Sequence, residues 1–219
     1  QVLAETIEYV LRDLRHPDGG FYSAEDADSP GPDGRGHEGR FYVWTPEELA
    51  AVLEGEELAA ALDWYEVGPE PNFEGRSILS RLRHRGELLR PPLVEAARAK
   101  LFAARALRPR PLCDDKVLAE WNGLMLATLA EAAAATGDER WLAAAIANGE
   151  FLLANLRADD GRWFRSWHAD GGARHAALAA DHAALVDAFT RLGEATGEAR
   201  WTHAAVRSAE TLLDRFWDV

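Results

Sequence analysis

The stretch ATGDERW, Ala135 to Trp141, returns as ATGEARW, Ala195 to Trp201, sixty residues further along the chain. Its likeness runs outward in both directions. Upstream, WNGLMLATLAEAAAATG (Trp121 to Gly137) stands against DHAALVDAFTRLGEATG (Asp181 to Gly197), and downstream FLLANL (Phe151 to Leu156) stands against TLLDRF (Thr211 to Phe216). A repeat of this period marks a supersecondary unit stacked on its own copies. Leu124, Ala127, Ala130 and Ala134 form a helical stripe that ends before Gly137, the residue type favoured just past a helix end. Asp138 can cap the next helix, on which Trp141, Ala145, Leu152 and Leu156 share a face. Two helices joined by a glycine turn make an antiparallel hairpin, with Trp141 and Trp201 as equivalent core residues.

A weaker copy lies at the start. YVLRDLRHPDGGFYSAEDAD (Tyr9 to Asp28) aligns with FLLANLRADDGRWFRSWHAD (Phe151 to Asp170): the end of an amphipathic helix, an Asp-Gly turn, then a short aromatic strand. Residues 1–16 thus read as a lone second helix. Between the copies, Thr45-Pro46-Glu47-Glu48 is a capping box with proline at the first helical position. It predicts helices near 46–66 and 92–107, joined by a Gly-, Pro- and Arg-rich connection over 67–90. The expected organisation is one domain over 1–219 with hairpins near 46–107, 117–157 and 178–216, helices 117–136 and 178–195 forming the inner layer. Hairpins of this kind cannot bury their faces alone. The long aromatic links GGFYSA, GRFYVW and GRWFRSW favour closure into an all-α, α/α toroid over an open solenoid, with short β-hairpins in the links. Three and a half hairpins leave the ring incomplete, so apolar surface and self-association are expected at the ends near Gln1 and Val219.

Composition narrows the function. The chain has 219 residues, 47% of them hydrophobic, and a net charge of −13. That charge argues against a nucleic-acid backbone as partner, which needs clustered Lys and Arg. No apolar run approaches the roughly 20 residues that span a bilayer. Cys113, the only cysteine, can form no intrachain disulfide, so a reducing, cytoplasmic setting is expected.

Every link joins a second helix to the next first helix, so the links should gather at one rim, facing a common cavity. Their polar residues are the candidate site: Glu25, Asp26 and Asp28 in SAEDADS; Asn72 in EPNFEG; Asp114, Asp115, Lys116, Trp121 and Asn122 in LCDDKVLAEWNG; Asp181 and His182 in AADHA. Carboxylates gathered with tryptophan suit glycosidic chemistry, one carboxyl serving as acid, another as base or nucleophile, with aromatic faces holding the sugar. On that reading Asp26, Asp28, Asp115 and Asp181 are catalytic. Glu25, Trp44, Asn72, Asp114, Lys116, Trp121, Asn122 and His182 bind the sugar or glycan ligand. The competing reading spends Asp114, Asp115 and Asp181 on helix caps. Asp26-x-Asp28-x-x-Gly31 opens like a calcium loop, but Pro30 stands at a ligand position and His37 where the bidentate Glu belongs. No metal and no cofactor are expected.

The motifs GGFYSAEDADS, EGRFYVWTPEEL, NFEGRSIL and DDKVLAEWNGLMLATLA, in that order, resemble the thioredoxin-domain-containing proteins of the spermatogenesis-associated type. The resemblance spans essentially the whole chain. It implies a thioredoxin-like domain upstream, further hairpins downstream, and a toroid similar to the six-hairpin glycosidases and N-acylglucosamine 2-epimerase. By position, the family's SAEDAD falls on Ser23 to Asp28, its DDK on Asp114 to Lys116, and its WNG on Trp121 to Gly123. This chain has Asp181-His182 where the family often has Asp-Tyr. Two functions follow as expectations: a carbohydrate-active toroid (hydrolase, epimerase or isomerase), or a non-catalytic module binding a sugar or protein beside a redox domain.

Overall fold

The computed structural model describes residues 1–217; Val219, where one apolar end was expected, lies outside them. In chain order the elements are α1 (Val2–Asp13), β1 (Tyr22–Glu25), β2 (Asp28–Pro30), β3 (Gly36–Glu38), α2 (Pro46–Ala50), α3 (Gly55–Trp64), α4 (Pro92–Arg105), β4 (Cys113–Leu118), α5 (Ala119–Thr136), α6 (Glu139–Asn155), β5 (Phe164–His168), β6 (Gly172–Ala176), α7 (Ala179–Thr196) and α8 (Ala199–Phe216). The class is all-α, built from helical hairpins with short β-hairpins in the links, the construction of the α/α toroids. The chain divides into two compact units, residues 1–24 with 113–219, and residues 25–112.

In the first unit the repeat appears as drawn from the sequence. Both hairpins turn on a left-handed glycine, Gly137 at φ 75° and Gly197 at φ 71°. A residue with a Cβ would be strained there. Their amides close the helices onto Ala133 and Gly193, each at 2.8 Å. Asp138 caps α6 by accepting from the Arg140 and Trp141 amides, whereas Glu198 makes no such cap on α8. α5 and α7 pack face to face, and α6 and α8 lie against them. The approach of α5 to α7 is close because Gly123 carries no side chain: a Cβ there would sit 2.9 Å from the Ala184 carbonyl carbon. Trp141 and Trp201 are both buried in one core with Leu126, Leu129, Leu152, Leu185, Phe189 and Leu192. Burying an aromatic of this size contributes on the order of 3 kcal/mol each. The outer side of α8 leaves Val206 and Leu213 exposed.

The third copy is equally exact in its backbone. An antiparallel bridge joins Arg15 to Phe21, and another joins Arg157 to Trp163, the same pair 142 residues on. The bonds His16 N–H to Gly20 O, Gly19 N–H to His16 O and Tyr22 N–H to Leu14 O recur as Ala158 N–H to Arg162 O, Gly161 N–H to Ala158 O and Phe164 N–H to Leu156 O. One hydrogen-bonded frame therefore terminates α1 and α6 and launches β1 and β5. These strands belong to one four-stranded sheet in the order β1-β4-β5-β6.

The second unit departs from expectation in one element. The helix expected over 46–66 is two, α2 and α3, with Gly55, the first residue of α3, at φ 53°. The capping box at Thr45 is present in both halves, Glu48 N–H to Thr45 Oγ1 at 3.2 Å and Thr45 N–H to Glu48 Oε2 at 3.1 Å. It starts a helix of little more than one turn, because Leu49 and Leu53 are already buried in the unit's core and Gly55 lets the chain redirect. α4 stops at Arg105, close to its expected end.

Candidate functional site

The link sheet of the first unit carries the best-formed cluster. Asp115 on β4 accepts a hydrogen bond from His168 Nε2 at 2.8 Å. His168 Nδ1 accepts the Asp170 amide at 3.2 Å, which leaves the ring proton on Nε2 and fixes the tautomer that points at Asp115. The imidazole thus holds Asp115 Oδ1 and leaves Oδ2 open on a side chain that is 50% exposed. His16 has the same local geometry, its Nδ1 accepting the Asp18 amide at 3.0 Å. Its ring sits edge-on to Tyr22 and Trp167, with centroids at 5.7 and 5.3 Å, and against Phe151 at 5.4 Å. Burial, followed by the charges of Cys113, Asp115 and Asp18, holds the Tyr22 phenol above its ordinary range. Tyr22 is therefore a protonated donor close to an open carboxylate.

Asp114 lies beside this cluster. Its carboxylate pairs with Lys116 at 3.0 Å, and its carbonyl accepts the Ser23 hydroxyl at 3.0 Å. Burial pushes the Asp114 carboxyl up, but hydrogen bonds from Lys116 and Ser23 with the Lys116 charge together outweigh it, and the net shift is downward. Trp121, at the start of α5, presents an indole 51% exposed, a free aromatic face.

Other expected site residues in this unit serve the fold. Asn122, placed in the sugar set, is 1% exposed and has all its hydrogen-bonding capacity in use. Its Oδ1 accepts from Phe21 N–H (2.7 Å) and Asn148 Nδ2 (2.9 Å), and its Nδ2 donates to Phe21 O and Leu118 O, each at 2.9 Å. It ties the link to α5 and has nothing left for a ligand. Asp181 is fully buried: it accepts from Leu178 N–H at 2.8 Å and Glu120 N–H at 3.1 Å, and pairs with Arg165 at 3.2 Å. Those bonds satisfy amides at the starts of both α7 and α5, the capping use of a carboxylate. His182 is buried beside Phe216, and burial pulls its pKa down, so it stays neutral and packed instead of meeting a sugar.

In the second unit, Glu25 accepts from Tyr42 Oη at 2.5 Å and pairs with Arg110 at 2.6 Å. Asp26 and Asp28 are exposed; Asp26 Oδ1 accepts the Asp28 amide at 3.1 Å, closing a local turn at the edge of the β2–β3 hairpin. Asn72 braces its own loop by bonding both the amide and the carbonyl of Ile78, at 2.8 and 3.2 Å. Trp44, expected on the sugar, is buried in this unit's core with the Arg108 guanidinium 3.9 Å above its ring. No three His, Cys, Asp or Glu side chains among the described residues are grouped to hold a metal ion. No helix among them is long and apolar enough to cross a membrane.

His16, Tyr22, Trp167 and His168 were absent from the sequence-derived set. The alignment of SAEDAD with RSWHAD (Arg165 to Asp170) places His168 opposite Asp26 in the repeat, a correspondence that could have drawn attention to it.

Helical hairpins whose links form a small sheet with a carboxylate, an imidazole and a phenol define the class, an α/α-hairpin protein with a polar link face. No family model matches the chain. It is similar to spermatogenesis-associated protein 20 of Mus musculus, 35% identical over 250 residues, a match covering 97% of this chain and 32% of that protein. The Homo sapiens protein of the same name is 34% identical with the same coverage. The chain spans about a third of the length of these relatives, which agree with the spermatogenesis-associated resemblance carried by its motifs. Among solved structures, a sugar epimerase from a ruminal bacterium is similar over 100% of this chain and 56% of its own, at 14% identity and a TM-score of 0.44.

Proposed function

We propose that this chain is the central part of a toroid domain that follows a thioredoxin-like domain in a longer protein, and that it acts on a sugar by proton transfer. The observation that carries the reading is the Asp115–His168 hydrogen bond of 2.8 Å next to the protonated Tyr22. Asp115 Oδ2 is the base. His168 fixes its orientation, and Tyr22 O–H is the acid that stabilises oxygen charge as it develops. Trp121 offers the ring face against which a sugar can lie. An acid of phenolic type paired with a carboxylate suits removal of a proton beside a carbonyl, as in an epimerase or isomerase, better than the two carboxyls of a hydrolase. The family resemblance to N-acylglucosamine 2-epimerase supports this by fold analogy alone.

Incubating the protein with a panel of reducing mono- and disaccharides in D2O tests the proposal, with proton NMR following loss of the C2 hydrogen. Exchange that disappears in Asp115→Asn and falls at least about 100-fold in Tyr22→Phe is the expected result. Release of new reducing ends without exchange would make the chain a hydrolase. Saturable sugar binding without either reaction would favour a binding module, the reading that Asp181's capping role supports.

A further inference from the structure

A second polar site lies in the second unit, and its charge is opposite to that of the chain. A cleft of about 260 Å³ is lined by Ser29, Arg40, Phe41, Glu48, Arg76 and Arg108, with prolines completing its walls. Three guanidinium groups share it with one carboxylate, in a protein whose net charge is −13. Gathering like charges in a partly enclosed space is unfavourable unless an anion completes the set.

The arginines are held in place. Arg108 donates to the carbonyls of Val43 (2.7 Å), Phe41 (3.1 Å) and Arg40 (3.4 Å), stacks on Trp44, and reaches Glu48 Oε2 at 3.2 Å. Arg76 donates to the same Glu48 oxygen. Glu48 is itself fixed through the Thr45 capping box, so a single carboxylate orients two guanidinia without neutralising both. Arg40 is half-buried and has no carboxylate partner among the described residues. Ser29 is 2% exposed, and its oxygen accepts the Phe41 amide at 2.9 Å. Its hydroxyl proton has no acceptor among the described residues and remains a buried donor on the cleft wall. Burial, with the charges of Arg76, Arg105 and Arg40, lowers the Arg108 pKa against the opposing pull of Glu48, which agrees with a site short of negative charge.

We infer that this cleft binds the phosphoryl group of a small phosphate ester, or free phosphate, through Arg40, Arg76, Arg108 and the Ser29 hydroxyl. Three guanidinia less one carboxylate leave an excess of two positive charges, the complement of a phosphate dianion. A carboxylate ligand offers two oxygens and a single negative charge; a phosphate offers three terminal oxygens and a second charge, enough to engage all three guanidinia. The volume accommodates the phosphoryl group with a small substituent and little more. The inference is independent of the proton-transfer reading, because it uses none of that site's residues.

Calorimetric titration of the 219-residue chain with inorganic phosphate, glucose 6-phosphate and acetate at low ionic strength tests it. Phosphate and the ester should bind, and acetate should not. Tighter binding of the ester would identify a phosphate ester as the ligand, and equal binding would identify the free oxyanion; either ranking supports the site. Arg40→Gln removes a side chain with no ion-pair partner among the described residues, so it should leave the melting temperature without phosphate unchanged and weaken phosphate binding about tenfold or more. Asp115→Asn should bind phosphate as the parent does. Failure of both phosphate and the ester to bind with a dissociation constant below about 10 mM would overturn the inference, as would acetate binding as tightly as phosphate or unchanged affinity in Arg40→Gln.

Discussion

Replacing Asn122 by Ala separates a structural asparagine from a ligand-binding one. Among the described residues, Asn122 is the hydrogen-bond partner of both the Phe21 amide and the Phe21 carbonyl, in a residue 4% exposed. The alanine strands both groups. Each buried polar group left without a partner costs about 1–3 kcal/mol, so the loss should be about 2–6 kcal/mol. Asn148 Nδ2 keeps its bond to Gly19 O at 3.0 Å, which limits the damage on that side. At about 2–4 °C per kcal/mol for a chain of this size, the central estimate of about 4 kcal/mol lowers the melting temperature by roughly 8–16 °C. Asn122→Asp sharpens the test. It keeps an acceptor for the Phe21 amide but sets carboxylate oxygen against the carbonyls of Phe21 and Leu118. That raises the new carboxyl's folded pKa above its unfolded value, so the variant should gain stability as pH falls from neutrality. Urea unfolding followed by tryptophan fluorescence reads both variants. An alanine variant within about 1 kcal/mol of the parent would refute the reasoning, since a residue kept only for ligand binding is replaced at little cost.

Trp141→Ala and Trp201→Ala should each cost about 3–5 kcal/mol, because both rings fill equivalent places in one core; thermal unfolding giving one large and one negligible loss would break the equivalence. His182 is held neutral by burial, its folded pKa lying below the unfolded 6.5. The unfolded chain therefore takes up the extra proton, and the stability this residue protects is present above about pH 6.5 and lost as pH falls through it. Denaturant midpoints measured across that window should decline less steeply in His182→Gln.

The hairpins were legible because their cause is local. Two glycines with left-handed backbone, a capping aspartate and an apolar stripe need only a few neighbouring residues to declare themselves. The Tyr9–Asp28 copy was legible for the same reason, its frame being set by backbone bonds within one turn. The interruption between α2 and α3 was not, because a strong helix start at Thr45 says nothing about how soon the core closes over Leu49 and Leu53. The site residues divide along the same line. Asp115 was found by its residue type, but its partner His168 is 53 positions away and meets it only through the sheet. Asn122, Asp181, His182 and Trp44 look like ligand residues in a string of letters. Only burial shows that the fold uses them. A carboxylate that caps two helices and one that awaits a substrate are the same letter.

The shared backbone frame of the Leu14–Tyr22 and Leu156–Phe164 links makes the molecule its own control experiment. Main-chain bonds hold both copies, so their side chains are free to diverge without disturbing the scaffold. They have diverged where chemistry would matter: His16 faces Ala158 across the repeat, and Tyr22 faces Phe164, while Asp18 and Asp160 remain alike. The first copy places a histidine and a phenol where the second has alanine and phenylalanine. Duplication of a hairpin thus gives a lineage a spare socket, already folded, in which an active group can be tried while the first copy carries on. Transplanting histidine and tyrosine into positions 158 and 164 would repeat that step in the laboratory.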